Sequence, residues 1–285
     1  MEINVVKKIT DRMPTFSKNQ KKIAKAILDG YNDSDYVTAA KLGALVGVSE
    51  STVVRFAYEL GYDSYPAFQR AVQKQICVKM TPNQRIEASQ ARFSGSDVLK
   101  SVMTSDIEKI KYTMENMDRS VFSAAVDAII GARRIYILGV RSSASLVSFF
   151  NFNLSLIFDN VKFVQPTSSS EVFEQLLDID KEDVLFAVSF PRYSTKIVHA
   201  VNYASAQGAK VISLTDSPLS PIAQNADYVL TAQSDMASFA DSLTAPLSII
   251  NAILVAVSAK MQEEVKKRFD KLETIWDSYD VYTKQ

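Results

Sequence analysis

The sequence predicts an α/β chain in two parts: an all-α N-terminal domain containing a helix-turn-helix, then a doubly wound parallel sheet. Three observations carry this. The first third of the chain reads as short amphipathic helices. From Arg133 onward, short apolar runs alternate with helical stretches, the grammar of parallel strands covered on both faces. Gly and Pro number eight each in 285 residues, too few turn formers for a many-turned all-β sandwich or barrel.

The N-terminal elements follow from local signals. Residues 17–29 place Ile23, Ala26 and Ile27 on one face and Lys18, Lys21, Lys22 and Lys25 elsewhere. Ser17 is the expected N-cap and Gly30 the left-handed residue after the helix. A helix over 39–46 follows Thr38 as cap. Another over 50–60 follows Ser49 and stops at Gly61. A fourth runs from Pro66 to about Val78, proline being tolerated in a first turn. Residues 79–96 lose the apolar rhythm and gather polar residues, which predicts a linker between domains 1–78 and 97–285.

Beyond the linker, 97–131 carries Val98, Val102, Ile107, Ile110 and Met114 on a helical stripe. The strand candidates are then RRIYILGV from Arg133, VKFVQP, DVLFAVSF, KVISLTD and DYVLTA at 227–232. Between and after them lie helices at 144–158, 170–178, 194–207, 242–260 and 262–277. The last is highly charged and holds the one tryptophan, Trp276.

Composition narrows the class of function. Hydrophobic residues at 47% and charged residues at 22% describe a folded globular chain. A single cysteine, Cys77, excludes an internal disulfide or a cysteine zinc cluster, so a reducing cytoplasm is the expected compartment. No stretch approaches the roughly 20 apolar residues of a membrane span, and no membrane partner is expected. Acidic and basic residues balance at 32 each, but unevenly: residues 1–92 hold 14 basic and 9 acidic groups, leaving 18 and 23 for the rest. A basic head on an acidic body points to a polyanion partner for the head alone.

Residues 39–58 carry the pattern of a DNA reader. Leu42, Val46, Val48, Val53 and Phe56 are apolar, Gly43 is small where two helices cross closely, and Gly47 sits in the turn. The helix at 50–60 would enter the major groove by its N-terminal end, capped by Ser49. Ser51, Thr52, Arg55 and Tyr58 are its polar or long side chains there, and Arg55 is the best base reader because guanidinium grips guanine in a bidentate way. Its bland alternatives are a phosphate contact or a pair with Glu59. Lys18 and Lys21 are candidate phosphate contacts, or else a solvated charged face.

With these residues in view, the chain resembles the RpiR family of bacterial transcription regulators. The stretch LGALVGVSESTVVRFAYELGYDSYPAFQ resembles that family's helix-turn-helix. SFPRYST at 189–195 and QGAKVISLTDSPLSPIAQNADYVL at 207–230 resemble its sugar isomerase (SIS) domain. The resemblance implies operator DNA as one partner, a small phosphorylated sugar or related anionic effector as another, and a homodimer or homotetramer. The stretches 97–131, 242–260 (Leu247, Ile250, Leu254 and Val257) and 262–277 are the candidate contacts between copies, or ordinary core.

The effector residues are expected in two strand-to-helix loops. Ser142, Ser143 and Ser145 form the first, with Arg141 either clamping a phosphate or filling the pocket. Ser189, Ser194 and Thr195 form the second. Two departures mark this chain: Arg141 stands where isomerase-type SIS loops often have glycine, and Pro191 and Arg192 replace the usual serine-glycine pair. Ser168, Ser169 and Ser170 are a third hydroxyl cluster that faces the same site or caps the next helix. The alternative function is a phosphosugar isomerase or lyase, which needs a general acid or base. Glu171, Glu174 and His199 are its candidates: Glu171 reads more readily as a helix first-turn carboxylate, His199 as a surface residue. No metal-ligand spacing occurs, and neither cofactor, metal nor catalysis is expected.

Overall fold

The computed structural model describes residues 5–28, 38–79, 81–93, 97–165, 168, 170–234 and 238–282. The expected C-terminal residue Gly30 and the serine Ser169 lie outside them. The chain divides into two compact units. One comprises residues 1–105 with 235–242, the other 106–234 with 243–285.

The first unit is helical: α1 (Val5–Arg12), a 3₁₀ turn (Met13–Thr15), α2 (Lys18–Leu28), α3 (Ala39–Val46), α4 (Glu50–Glu59), α5 (Tyr65–Lys79) and α6 (Pro82–Phe93). Its core joins Ile9, Phe16, Ile23, Leu42, Val53, Phe56, Leu60 and Phe68. Phe56 is the hub, edge-to-face with Phe16 at 5.1 Å and with Phe68 at 6.0 Å. Helix α1 has no counterpart in the sequence reading, yet it closes this core. Its Lys8 and Arg12 donate hydrogen bonds to the Leu60 and Glu59 carbonyls at the end of α4, where cations complement the helix dipole. Burial, and then the charge of Arg12, hold the Lys8 ammonium below its ordinary pKa.

Residues 79–96 are not devoid of regular structure, because α6 occupies most of them. Thr81 opens it with a capping box, its Oγ1 accepting from Gln84 N while its own N–H donates to Gln84 Oε1 at 2.8 Å. Among its described side chains α6 buries a charge: Arg85 is 3% exposed and pairs with Asp241 at 3.0 Å. A buried charge is not announced by a hydrophobic stripe. The stretch 97–131 is likewise two helices, α7 (Val98–Asn116) and α8 (Arg119–Ile130), separated where the Asp118 carboxylate accepts the amides of Ser120 and Val121 as an N-cap.

The second unit is built on five parallel strands, β1 (Ile135–Gly139), β2 (Val161–Val164), β3 (Val184–Val188), β4 (Lys210–Thr215) and β5 (Tyr228–Thr231), in the order β2-β1-β3-β4-β5. The register sets Ile135 opposite Val161 on one side and Val184 on the other. At the base, Arg133 grips the fully buried Asp183 carboxylate through two nitrogens, at 3.0 and 2.7 Å, which ties the start of β1 to that of β3. One face is covered by α8, α9 (Ser143–Ile157) and α12 (Thr244–Lys260). The other is covered by α10 (Glu171–Gln175) and α11 (Thr195–Ala206). Ile250 and Val257 of α12 are buried in this core, with Leu247 and Leu254 packed against it, so that face of α12 is not free for a second copy. Helix α13 (Gln262–Ser278) buries none of its residues. Among the described residues no single helix is long and apolar enough to cross a membrane.

Candidate functional site

Two places gather the predicted residues. The first is the α3–α4 corner. Gly47 takes the left-handed backbone of the turn, at φ 68°. A Cβ on Gly43 would stand 2.7 Å from the Val48 carbonyl oxygen, so only glycine lets α3 run this close to the turn. Thr38 caps α3 by accepting from Lys41 N, and Ser49 caps α4 by accepting from Thr52 N at 3.3 Å. Val53 and Phe56 turn into the core, which leaves Ser49, Ser51, Arg55 and Tyr58 exposed and Thr52 half-buried.

Those exposed groups are partly pre-set. Ser49 Oγ lies 2.8 Å from Thr52 Oγ1 and 3.0 Å from Ser51 Oγ, a hydroxyl cluster at the leading end of the helix. Arg55 Nε donates to the Ser51 carbonyl at 3.3 Å. The acid in question, Glu59, instead accepts from Gln20 Nε2. Lys18 and Lys21 stand exposed in the first turn of α2, where the helix dipole disfavours cations.

The second place is the crevice where the strand order reverses. From β1 the chain leaves into α9 on one face; from β3 it leaves into α11 on the other. The loops beyond the carboxyl ends of β1 and β3 therefore open side by side, as ligand crevices do in open parallel sheets. Gly139 ends β1, and a Cβ there would stand 2.8 Å from a Val147 methyl and 3.0 Å from the Ser143 carbonyl, so α9 starts hard against the strand.

Serines at this edge have divergent fates. Ser142 and Ser194 occupy the N-cap positions of α9 and α11, yet neither side chain makes a capping bond. Ser145 Oγ donates back to the Ser142 carbonyl at 2.8 Å. Ser143 and Ser189 are buried, and Ser189 Oγ accepts from Ser194 N at 3.4 Å. Thr195 is exposed. Ser168 is a cap: it accepts from Glu171 N while its N–H donates to the Glu171 carboxylate, both at 3.3 Å. Glu174 and His199 are exposed. One group escaped the sequence reading: Asp216, buried just past β4, accepts from the Tyr193 hydroxyl at 2.7 Å and from Thr215 Oγ1.

Comparison with known proteins bears on both places. The family model "Helix-turn-helix domain, rpiR family" matches residues 3–79, and the model "SIS domain" matches residues 128–256. The chain joins an rpiR-family helix-turn-helix domain to a SIS domain. The first match spans α1 to α5, and the SIS match contains both crevice loops. A curated relative, HTH-type transcriptional regulator HexR of Escherichia coli K12, is 24% identical over 94% of this chain and 97% of its own length. The sugar isomerase domain of an RpiR transcription factor from Sphaerobacter thermophilus is 25% identical, covers 61% of this chain and 97% of that one, and superposes with a TM-score of 0.58. The Vibrio vulnificus NanR protein complexed with ManNAc-6P is 20% identical over 97% of this chain and 99% of its own, with a TM-score of 0.59; that likeness is one of fold.

Proposed function

We propose that this chain is a bacterial transcriptional regulator: α3 and α4 bind operator DNA, and the β1/β3 crevice binds a phosphosugar or related anionic metabolite. The observation that carries the reading is the unequal use of serine. Ser49 spends its hydroxyl capping α4; Ser142 and Ser194, at the corresponding position of two other helices, do not. Hydroxyls left over at helix N-termini beside a switch-point crevice suit an anion. The family match supports the class, and a neighbour of the same fold complexed with ManNAc-6P is consistent with it.

In the head, Ser49, Ser51, Thr52, Arg55 and Tyr58 are proposed to face the duplex. Lys18 and Lys21, disfavoured by their own helix dipole, gain most if a phosphate lies beside them. One recognition helix reads few base pairs, so a homodimer or homotetramer on paired half-sites is part of the proposal. Exposed Val98, Ile107 and Met114 of α7 are its candidate contacts. Domains 1–78 and 97–285, joined through 79–96, would change their arrangement when effector prefers one arrangement over the other. The protein is taken to act in the cytoplasm, without catalysis. Glu171, the best acid candidate, is engaged with Ser168, and His199 faces solvent.

Two variants test the halves separately. Arg55→Ala is expected to weaken operator binding in a shift assay at fixed salt while leaving folding intact; unchanged binding removes Arg55 from the reading set. Ser142→Ala with Ser194→Ala is expected to abolish the effector response but not DNA binding. A double variant that still responds would place the effector elsewhere. Phosphosugar turnover that Glu171→Gln abolishes would instead support the isomerase reading.

A further inference from the structure

Among the described residues, three that are not glycine adopt a left-handed backbone: Arg141 at φ 57°, Arg192 at φ 66°, and Asp280 in the C-terminal tail. Arg141 sits in the loop after β1 and Arg192 in the loop after β3, the two loops of the crevice. At such a φ a side chain is a cost that glycine avoids. Such a backbone asks what an arginine gives in return for its cost.

The arginines are also set apart by their bonding. Arg12, Arg55, Arg85, Arg119, Arg133, Arg134 and Arg268 all donate hydrogen bonds within the chain. Arg141 and Arg192 are exposed and, among the described residues, their guanidinium groups make neither a hydrogen bond nor an ion pair. The acids along the same edge are already engaged: Asp216 with Tyr193 and Thr215, Glu171 with Ser168. Two uncommitted guanidinium groups thus lie on loops that leave adjacent strands, where Gly139 pairs with Val188.

We infer that Arg141 and Arg192 select an effector carrying a second anionic group, a carboxylate or another phosphate, beside the phosphate that the serine hydroxyls receive. The inference rests on the phosphosugar reading above and sharpens it. Hydroxyls and helix N-termini suffice for one phosphate. Two forked guanidiniums add donors matched to planar carboxylate or phosphate oxygens.

The test is calorimetric titration of the full chain, at fixed ionic strength, with two matched pairs: glucose 6-phosphate against 6-phosphogluconate, and fructose 6-phosphate against fructose 1,6-bisphosphate. In at least one pair the doubly anionic member is expected to bind about tenfold more tightly, as one charged hydrogen-bonding pair would give. Arg141→Gly and Arg192→Gly should each bring that ratio toward one with the melting temperature unchanged or raised, because glycine relieves the left-handed backbone. Equal binding within both pairs overturns the inference and leaves the phosphosugar reading standing. A ratio that survives in both variants overturns it, as does a ratio lost together with stability, the mark of a structural role. Binding of none of the four overturns the phosphosugar reading itself.

Discussion

In the helical head, the two helices set to meet DNA are consecutive in the chain and joined by three residues, Gly47 to Ser49. In the sheet unit, the two loops of the crevice are separated by α9, β2, α10 and β3, and they meet only because β1 and β3 pair. Both corners have a glycine at a close approach, but with different neighbours. Gly43 faces a backbone carbonyl, which cannot move without moving the turn. Gly139 faces both methyls of the buried Val147 and, at 3.0 Å, the Ser143 carbonyl, a contact made mainly with a side chain. A site built from adjacent residues is rigid through its own backbone; a site built from distant loops borrows rigidity from the sheet beneath it.

That contrast can be broken by substitution. Gly43→Ala is expected to be the most damaging, at about 3 kcal/mol, since the added carbon overlaps backbone and no rotamer relieves it. Chemical denaturation of the head and a loss of operator binding would read it, and an undiminished midpoint would show the corner to be less tight than its geometry. Gly139→Ala should cost less, about 2 kcal/mol, because the nearest backbone atom lies 3.0 Å away rather than 2.7 Å and the closest contact is a side-chain methyl. Its signature would be weaker effector binding with DNA affinity retained, measured by titration of each ligand.

The serines sharpen the same comparison. Ser49→Ala removes a made cap and should cost about 1 kcal/mol of stability. Ser194→Ala removes none and should stay within about 0.5 kcal/mol, with its effect confined to effector affinity. Equal thermal shifts for the two would dissolve the distinction on which the crevice reading stands.

The smallest expected effect is on acid stability. Hydrogen bonds from the Ser120 side chain and the amides of Val121 and Ser120 hold the Asp118 carboxyl below its ordinary value of 3.8. The folded state therefore favours the ionised form. Its contribution is complete above that ordinary value and is lost as pH falls through the lowered one. Denaturation midpoints of Asp118→Asn and of the unaltered chain should converge at low pH; a constant gap would assign the cap no charge component.

Helix boundaries read from caps and glycines hold closely in the head. Thr38, Ser49 and Gly47 do what their positions demand, because a capping hydroxyl and a left-handed turn act within three or four residues. The expected strands likewise match five observed ones, since a doubly covered strand must be apolar along its length. Two helices were hidden for stated reasons. The stripe of α1 is short and set among charges, and among the described residues of α6 the buried group is Arg85, paired with Asp241. Ser168 and Glu171 take the local one of their two alternatives, the serine as a cap and the carboxylate in the first turn of the next helix, bonded to each other.

Local order is what the amino-acid sequence determined by itself: which stretches coil, which extend, where they start and stop, and that a basic helical head precedes an acidic sheet-bearing body. Periodicity and capping are short-range effects, and so they are written in short-range patterns. Tertiary structure alone decided that β1 neighbours β3, which serines spend their hydroxyls as caps, and that Arg141 and Arg192 adopt left-handed backbone with guanidiniums unpaired among the described residues. Strand pairing is settled between residues far apart in the chain, and a side chain's spare hydrogen-bonding capacity is known only once every neighbour is in place.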